Sequence, residues 1–324
     1  MQALDTIRFD FDPVLSRFAV RYRPQGTIAH RLLPYLPVPE QSAKIQVFGA
    51  DSLGYVQTKR GLKAEPVEVT EGRSYVTLAL ETHSAQEKLD PLEVQAGRKV
   101  GIDETQRALL AIKDRIVLSR EYDVQTMLTA ATLWPSGHDT TIAGGSEWDQ
   151  AAVDPYPVIM SAIDTVRDAI GAKPNVMALG YATWKAIRDN VAILDRINHL
   201  NANAPQVKQV RPDLLAALFE LNEVAIAESQ IYTGGALADI WSDIAILAVR
   251  NDTPTTPRPT FGVTAAQQYG TLPDANGEQV PLYGVAGVDP VNRWAISVWY
   301  QELSVPAVIV PGAGAIIRNT SSAV

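Results

Sequence analysis

Residues 175–197 read NVMALGYATWKAIRDNVAILDRI, and the order of apolar and polar positions along them decides the fold class. The run Val176-Met177-Ala178-Leu179 follows Pro174-Asn175 and stops at Gly180. Four consecutive apolar residues between turn signals predict a short strand buried on both faces rather than one turn of helix. Gly180 is expected to let the chain reverse sharply. Trp184, Ile187 and Val191 recur at spacings of three and four, which predicts a helix laid by one face onto that strand. Such an α/β unit is common, so its meaning depends on what surrounds it.

The chain has 324 residues, 46% of them hydrophobic, enough for a sizeable core and two subdomains. No apolar run approaches the length that crosses a bilayer, and residues 1–11 lack a basic start followed by an apolar stretch. The expectation is a soluble protein made in a cytoplasm, with no membrane partner. Cysteine is absent, which removes disulfides, zinc-thiolate sites and thiol nucleophiles together. The net charge of -8 argues against a dedicated nucleic-acid binder, because duplex recognition neutralises phosphates with Lys and Arg. One local exception is residues 13–31, where Arg17, Arg21, Arg23 and Arg31 occur without an acidic residue. Two readings stand: a solvated or partner-bound arm, or an inner-face arm that meets DNA or an acidic scaffold.

Outward from the central stretch, the organisation is regular. Residues 1–39 read as an extended arm, because Pro24, Pro34, Pro37 and Pro39 exclude a continuous helix. Residues 45–48 and 74–80 read as two strands flanking a charged middle, a hairpin with too little apolar content to fold alone. Asp103, with Gln106 three residues on, opens a long helix. Leu110, Val117, Val124 and Ala131 repeat every seven residues along it, reinforced by Leu109, Ile116, Met127 and Leu128, until Trp134-Pro135 ends it. That stripe is expected to pack on the sheet that receives residues 294–305, with Arg120 off the stripe. A second helix starts at Asp154-Pro155, carries Ile159, Ala162, Ile163, Val166 and Ile170 on one face, and stops at Gly171. A third begins at Pro212. Strands follow at residues 223–227 and 244–249, then a proline-marked loop, a tight turn at Asn276-Gly277, a long strand at residues 294–305 and a short one at residues 315–317.

Within this order, Asn175, the strand after it, Gly180, Trp184, Ile187, Asn190, Ile193, Asp195, Arg196 and Ile197 are similar to the central motif of tailed-bacteriophage major capsid proteins, the Hong Kong 97 type. Ile240-Trp241-Ser242-Asp243 before a strand and Arg293-Trp294 entering the last strand carry the same resemblance, which covers nearly the whole chain. It implies an α+β phage capsid fold: an N-terminal arm (1–44), an extended two-stranded loop (45–86), a peripheral subdomain with a long spine helix (87–153 and 294–324) and an axial α/β subdomain (154–293). It further implies a structural role without catalysis or cofactor, as hexamers and pentamers tiling an icosahedral shell around double-stranded DNA contacted without sequence specificity. The implied partners are copies of the chain, a separate scaffolding protein, a portal and a decoration protein, in a virion assembled in the host cytoplasm. Inter-subunit contacts are expected from Lys59, Arg60, Lys63, Glu65, Glu68, Glu71 and Arg73. Some relatives join subunits by a Lys to Asn isopeptide bond; no such cross-link is expected here.

Chemical readings fare less well. Ser136, His138 and Asp139 lie too close in sequence to resemble a triad, whose members come from separate elements. His30, His83 and His199 are single, and Asp149 with Asp154 lacks the further oxygen ligands that calcium prefers, so no metal is expected. Gly312-Ala313-Gly314 has no room after it for a dinucleotide-binding unit. Trp241, Trp294 and Trp299 read as core rather than as a stacking platform for bases. An encapsulin-like compartment shell and an α/β enzyme with an unidentified active site remain as alternatives.

Overall fold

The computed structural model describes residues 12–22, 24, 26–48, 50, 54–60, 65–66, 68, 74–150, 152–200, 207–251, 258–273, 279–292 and 295–322. Two five-stranded sheets organise it. The first is ordered Glu223–Ile226, Val176–Leu179, Ala245–Ala248, Gly314–Arg318 and Asp139–Thr141, with mixed strand directions. Val176–Leu179 and Ala245–Ala248 are buried at every position, as the continuous apolar run predicts. Helix Tyr156–Ile170 turns Ile159, Ala162, Ile163, Val166 and Ile170 into the core of this axial sheet. It ends where Gly171 enters the left-handed region at φ 69° and donates its N–H to Arg167 O.

The second sheet is built on the 14-residue strand Ala295–Val308. Glu81–Leu89 pairs antiparallel along one side of it, while Gly284–Asn292 and Gly262–Gln267 divide the other, and Tyr35–Val38 adds in parallel to Gly262–Gln267. The sheets do not divide the chain where the sequence suggests: strands from residues 35–38, 262–267 and 284–292 join the second sheet, and residues 139–141 and 314–318 join the first.

The spine helix, Glu104–Thr129, runs 26 residues, about 39 Å at 1.5 Å per residue. Asp103 caps it by accepting from the N–H groups of Thr105 and Gln106. Its buried face differs from the expected heptad. Leu109, Ile112 and Ile116 pack with Val298 and Tyr300 on the second sheet, whereas Val124 and Leu128 pack into the axial core. Leu110 is only half-buried, Ala131 is exposed, and the helix stops at Thr129, five residues before Trp134. Trp134 instead folds back so that its Nε1–H donates to Leu128 O at 2.8 Å, satisfying a carbonyl of the last turn. The spine thus bridges two cores, and Lys113, Arg120 and Glu121 lie on its buried face.

The arm carries helices, where its prolines predict an extended segment. Pro13–Arg21 is a helix, because Asp12 caps it from the N-cap position and Pro13 occupies the first helical position, where its missing N–H costs nothing. Leu15 and Ala19 enter the second core, and Ile28, Ala29, Leu32 and Leu33 enter the axial one. Prolines 24, 34 and 37 all fall outside the helix.

Candidate assembly surfaces

The central motif works as a junction. Gly180 has φ -63°, so its conformation is open to any residue and the expected glycine reversal is not what it provides. What it provides is room: a Cβ there would lie 2.0 Å from Ser242 O. The close approach lets Gly180 N–H donate to Ile244 O at 2.9 Å and Tyr181 N–H to Trp241 O at 3.3 Å, which joins residues 175–197 to the Ile240-Trp241-Ser242-Asp243 segment. Asn175 brackets Arg250 with both halves of its amide, donating to Arg250 O and accepting from Arg250 N, each at 2.7 Å. Asp189 caps the end of Tyr181–Arg188, and Asn190 precedes Val191–Leu200: its Oδ1 accepts from Ile193 N–H, while its Nδ2 donates to Trp148 O and Val153 O. Val191, expected on the buried face, is 59% exposed, because the break at Asn190 resets the helical phase and buries Ile193 and Ile197 instead.

The extended hairpin begins as Ser42–Val47 paired antiparallel with Ser74–Ala79, from Ser42 opposite Ala79 to Val47 opposite Ser74. Leu80 alone separates Ser74–Ala79 from Glu81–Leu89, which is held to Ala295–Val308 in nine-residue register. The hairpin therefore continues the line of a strand anchored in the second sheet. Lys59, Arg60, Glu65 and Glu68 are exposed on it, whereas Lys63, Glu71 and Arg73 lie outside the described residues. So does the expected turn at Asn276-Gly277, although Gly270–Pro273 and Gln279–Leu282 on either side of it do pair as antiparallel strands. Arg293 and Trp294 are likewise outside.

Of the arm cations, Arg17 and Arg21 lie on the Pro13–Arg21 helix and Arg23 is outside the described residues. Arg31 is ion-paired with Glu223 at 2.8 Å, and Glu223 also holds Arg250 at 2.7 Å. Arg31 thus reaches the edge strand of the axial sheet. At half exposure such a pair contributes little, about 0–1 kcal/mol.

Sequence reasoning missed a buried polar network on the spine. Arg120 Nη1 pairs with Glu302 of Ala295–Val308 at 3.0 Å and also donates to the hydroxyl of Tyr35 in the arm, whose ring it covers. Tyr35 stacks on Tyr283 with ring centroids 4.8 Å apart. Tyr300 OH donates to Glu302 at 3.2 Å. Burial works against the Arg120 charge, but attraction to Tyr35 and Glu302 outweighs it and holds its pKa above the ordinary arginine value. Burial, then the Glu302 charge, pushes the Tyr300 hydroxyl well above the usual phenol value. On the next residue, Glu121 accepts from Ala29 N–H and from Trp241 Nε1–H, each at 2.8 Å. Burial raises its carboxyl pKa and those two hydrogen bonds oppose the rise. The available signal was the phase: residues 120 and 121 fall three and four after Val117 and four and three before Val124, where an exposed pair would not.

Several of the remaining chemistry-bearing residues make structural contacts. His138 Nδ1 lies 2.7 Å from Gly314 O, and Asp139 holds Arg318 at 2.7 Å, so the two point into the sheet rather than at Ser136. Trp241 is a core residue, whereas Trp299, also expected in the core, is only partly buried and donates its Nε1–H to Asp289 at 2.8 Å. Asp149 accepts from the Ser322 backbone N–H at 3.2 Å, and Asp154 pairs with Arg196. Among the described residues no group of three or more His, Asp or Glu is placed to hold a metal ion, and no helix is long and apolar enough to cross a membrane.

No family model matches the chain. It is 25% identical over 286 residues to the major capsid protein of Burkholderia phage BcepMu, a match covering 86% of this chain and 90% of that one. It is 24% identical over 278 residues to the major capsid protein of Pseudomonas phage JBD67, covering 83% and 87%. Among solved structures it is similar to a phage-related protein from Bordetella bronchiseptica, with TM-score 0.72 and 21% identity over 96% of this chain and 98% of that one. The capsid protein of cyanophage P-SCSP1u superposes with TM-score 0.54 at 8% identity, covering 93% and 90%. The chain has the phage capsid fold of the Hong Kong 97 type, and its curated homologues are phage major capsid proteins.

Proposed function

We infer that this chain is the major capsid subunit of a phage, a structural protein that assembles with copies of itself into a closed shell. The observation that carries the reading is the match to curated major capsid proteins over most of both chains, 86% of this chain against 90% of the BcepMu protein. The buried polar groups described above are consumed in holding arm, spine and sheets together, which suits a subunit whose work is shape rather than turnover. In this reading hexamers and pentamers form an icosahedral shell around double-stranded DNA, helped by a scaffolding protein, a portal and a decoration protein, and assembled in the host cytoplasm. In the same reading the arm is residues 1–44, the extended loop 45–86, the peripheral subdomain 87–153 with 294–324 and the axial subdomain 154–293, the two subdomains exchanging strands, since residues 262–267 and 284–292 pair in the second sheet and residues 139–141 and 314–318 in the first.

The extended loop carries the contacts between copies. Lys59 and Arg60 with Glu65 and Glu68 present both signs of charge at exposed positions on an apolar-poor hairpin. Lys63, Glu71 and Arg73 would extend that pattern. The arginines at 17, 21, 23 and 31 form the inner-face set, with Arg31 sharing its charge with Glu223. Electron microscopy of the purified protein, expressed alone and with its neighbouring genes, tests the reading. Closed particles, or rings of five and six, are expected; a small oligomer under both conditions would overturn it.

A further inference from the structure

We propose that Glu121 is a positioning residue that ties the arm and the axial core to one point of the spine helix, and so sets the angle at which a subunit meets its neighbours. The inference rests on the shell reading. Glu121 is 1% exposed, and its two carboxylate oxygens are used separately. Oε1 accepts from Ala29 N–H, the first residue of the short arm helix Ala29–Leu32, 92 residues away. Oε2 accepts from the Trp241 indole, 120 residues away in the other direction. Trp241 in turn passes its carbonyl to Tyr181 N at the start of the motif helix.

Three parts of the chain therefore meet on one side chain. An apolar residue of similar size would fill the same space without the cost of burying a carboxylate, and replacements of that kind are often neutral or stabilising. What an apolar residue does not supply is two divergent acceptors. With both donors at 2.8 Å, a shift of the arm or of the axial core along the spine breaks a buried hydrogen bond, whereas apolar surfaces slide at little cost. Ile28, Leu32 and Leu33 beside Ala29 are fully buried, so the contact fixes a packed segment rather than a loose end. Arg120, one residue before, holds the arm at Tyr35 and the second sheet at Glu302, so the same turn of the spine registers the arm, the axial core and the second sheet.

Hydrogen exchange on the purified chain tests this without requiring particles. In Glu121→Gln, which keeps one acceptor and presents an amide to the other donor, whichever of residues 27–38 and residues 229–243 faces the amide is expected to exchange at least tenfold faster, with residues 156–170 within twofold of wild type. Glu121→Asp keeps the charge but is one methylene too short to reach both donors, and it should behave like the Gln variant. Trp241→Phe should loosen residues 229–243 and leave the arm protected. Exchange within twofold of wild type at both residues 27–38 and residues 229–243 in Glu121→Gln, or acceleration spread evenly over residues 27–38, 229–243 and 156–170, overturns the inference. If the Gln variant does not fold, unchanged exchange at residues 229–243 in Trp241→Phe overturns it. Microscopy of the same samples separates the two readings: wild-type protein that forms no particles counts against the shell, while variant particles as uniform in diameter as wild type count against Glu121.

Discussion

Replacing Arg120 by Ala removes the cation from a salt bridge that is closed to solvent on both sides. Arg120 is 7% exposed and Glu302 4% exposed, at 3.0 Å from each other. After the substitution Glu302 keeps two neutral donors, Tyr300 OH at 3.2 Å and Ser304 Oγ at 3.3 Å, and loses the cation paired with it. A stranded buried charge costs about 3–5 kcal/mol, and the lost stacking of Arg120 over the Tyr35 ring, 5.1 Å from its centroid, acts in the same direction. The loss is a large share of a domain's stability of roughly 5–15 kcal/mol. Urea unfolding followed by tryptophan fluorescence measures it on the unassembled chain. The expected loss is about 3–5 kcal/mol for Arg120→Ala, while Arg120→Met combined with Glu302→Leu should stay within about 1 kcal/mol of wild type, because it removes the charge together with its partner. A loss below about 1 kcal/mol in the single variant, or a double variant weaker than the single, would show that the pair is not the closed ion pair described.

Gly180→Ala should lower the thermal midpoint by an amount matching about 1–3 kcal/mol, since its Cβ would meet Ser242 O at 2.0 Å; Gly144→Ala, whose Cβ meets nothing nearer than 3.9 Å, serves as the control, and equal midpoints would refute the steric account. Reversing Lys59, Arg60 and Lys63 to Glu should reduce particle yield while the unassembled chain melts as before, each exposed pair being worth about 0.2–1 kcal/mol but repeated in every copy. Normal yield would remove the hairpin charges from assembly. The Glu121 carboxyl is raised by burial above its ordinary 4.5, so folding favours its neutral form. The stability that comes from keeping this carboxyl neutral is fully present below pH 4.5 and is lost as pH rises through the raised value, where the ionised form gains both acceptors at the cost of burial, so wild type should lose stability relative to Glu121→Gln across that window. A difference that stays flat or grows with pH, measured by urea midpoints, contradicts the sign.

Elements whose cause is local were legible in the sequence. Val176–Leu179 is buried on both faces and so shows as an unbroken apolar run, and Tyr156–Ile170 is bracketed by Pro155 and by a left-handed Gly171. The strand pair expected at residues 45–48 and 74–80 is present as Ser42–Val47 and Ser74–Ala79, the first starting three residues earlier, because a strand pair needs only alternation and a polar connection. The helix at Pro13–Arg21 was equally local, and its Asp-Pro start was overlooked because the prolines after it were read as governing the whole arm. Gly180 was noticed for the wrong reason: the close approach of Ser242 depends on a segment 62 residues later, which periodicity does not reveal.

The spine helix shows why the junction was harder to read than the elements it joins. Its apolar residues are spaced so that a seven-residue count picks out Leu110, whereas the buried face runs through Leu109, Ile112 and Ile116 to Val124 and Leu128. A hydrophobic count places the stripe to avoid charges, and so it shifts away from Lys113, Arg120 and Glu121, the residues that carry the contacts to other segments. Glu302 and Trp241 lie 182 and 120 residues from their partners. Tested by phase instead, Arg107, Arg115 and Asp123 fall on the exposed side of the same helix and Arg120 and Glu121 on the buried side. Desolvating an ionised group without a partner costs more than a helix of this length recovers from packing it, so a charge in phase with a buried stripe implies a remote hydrogen-bonding partner. In this chain the implied partners are the arm, the axial core and the second sheet, and it is that convergence on one helical turn that a shell subunit needs to hold its shape.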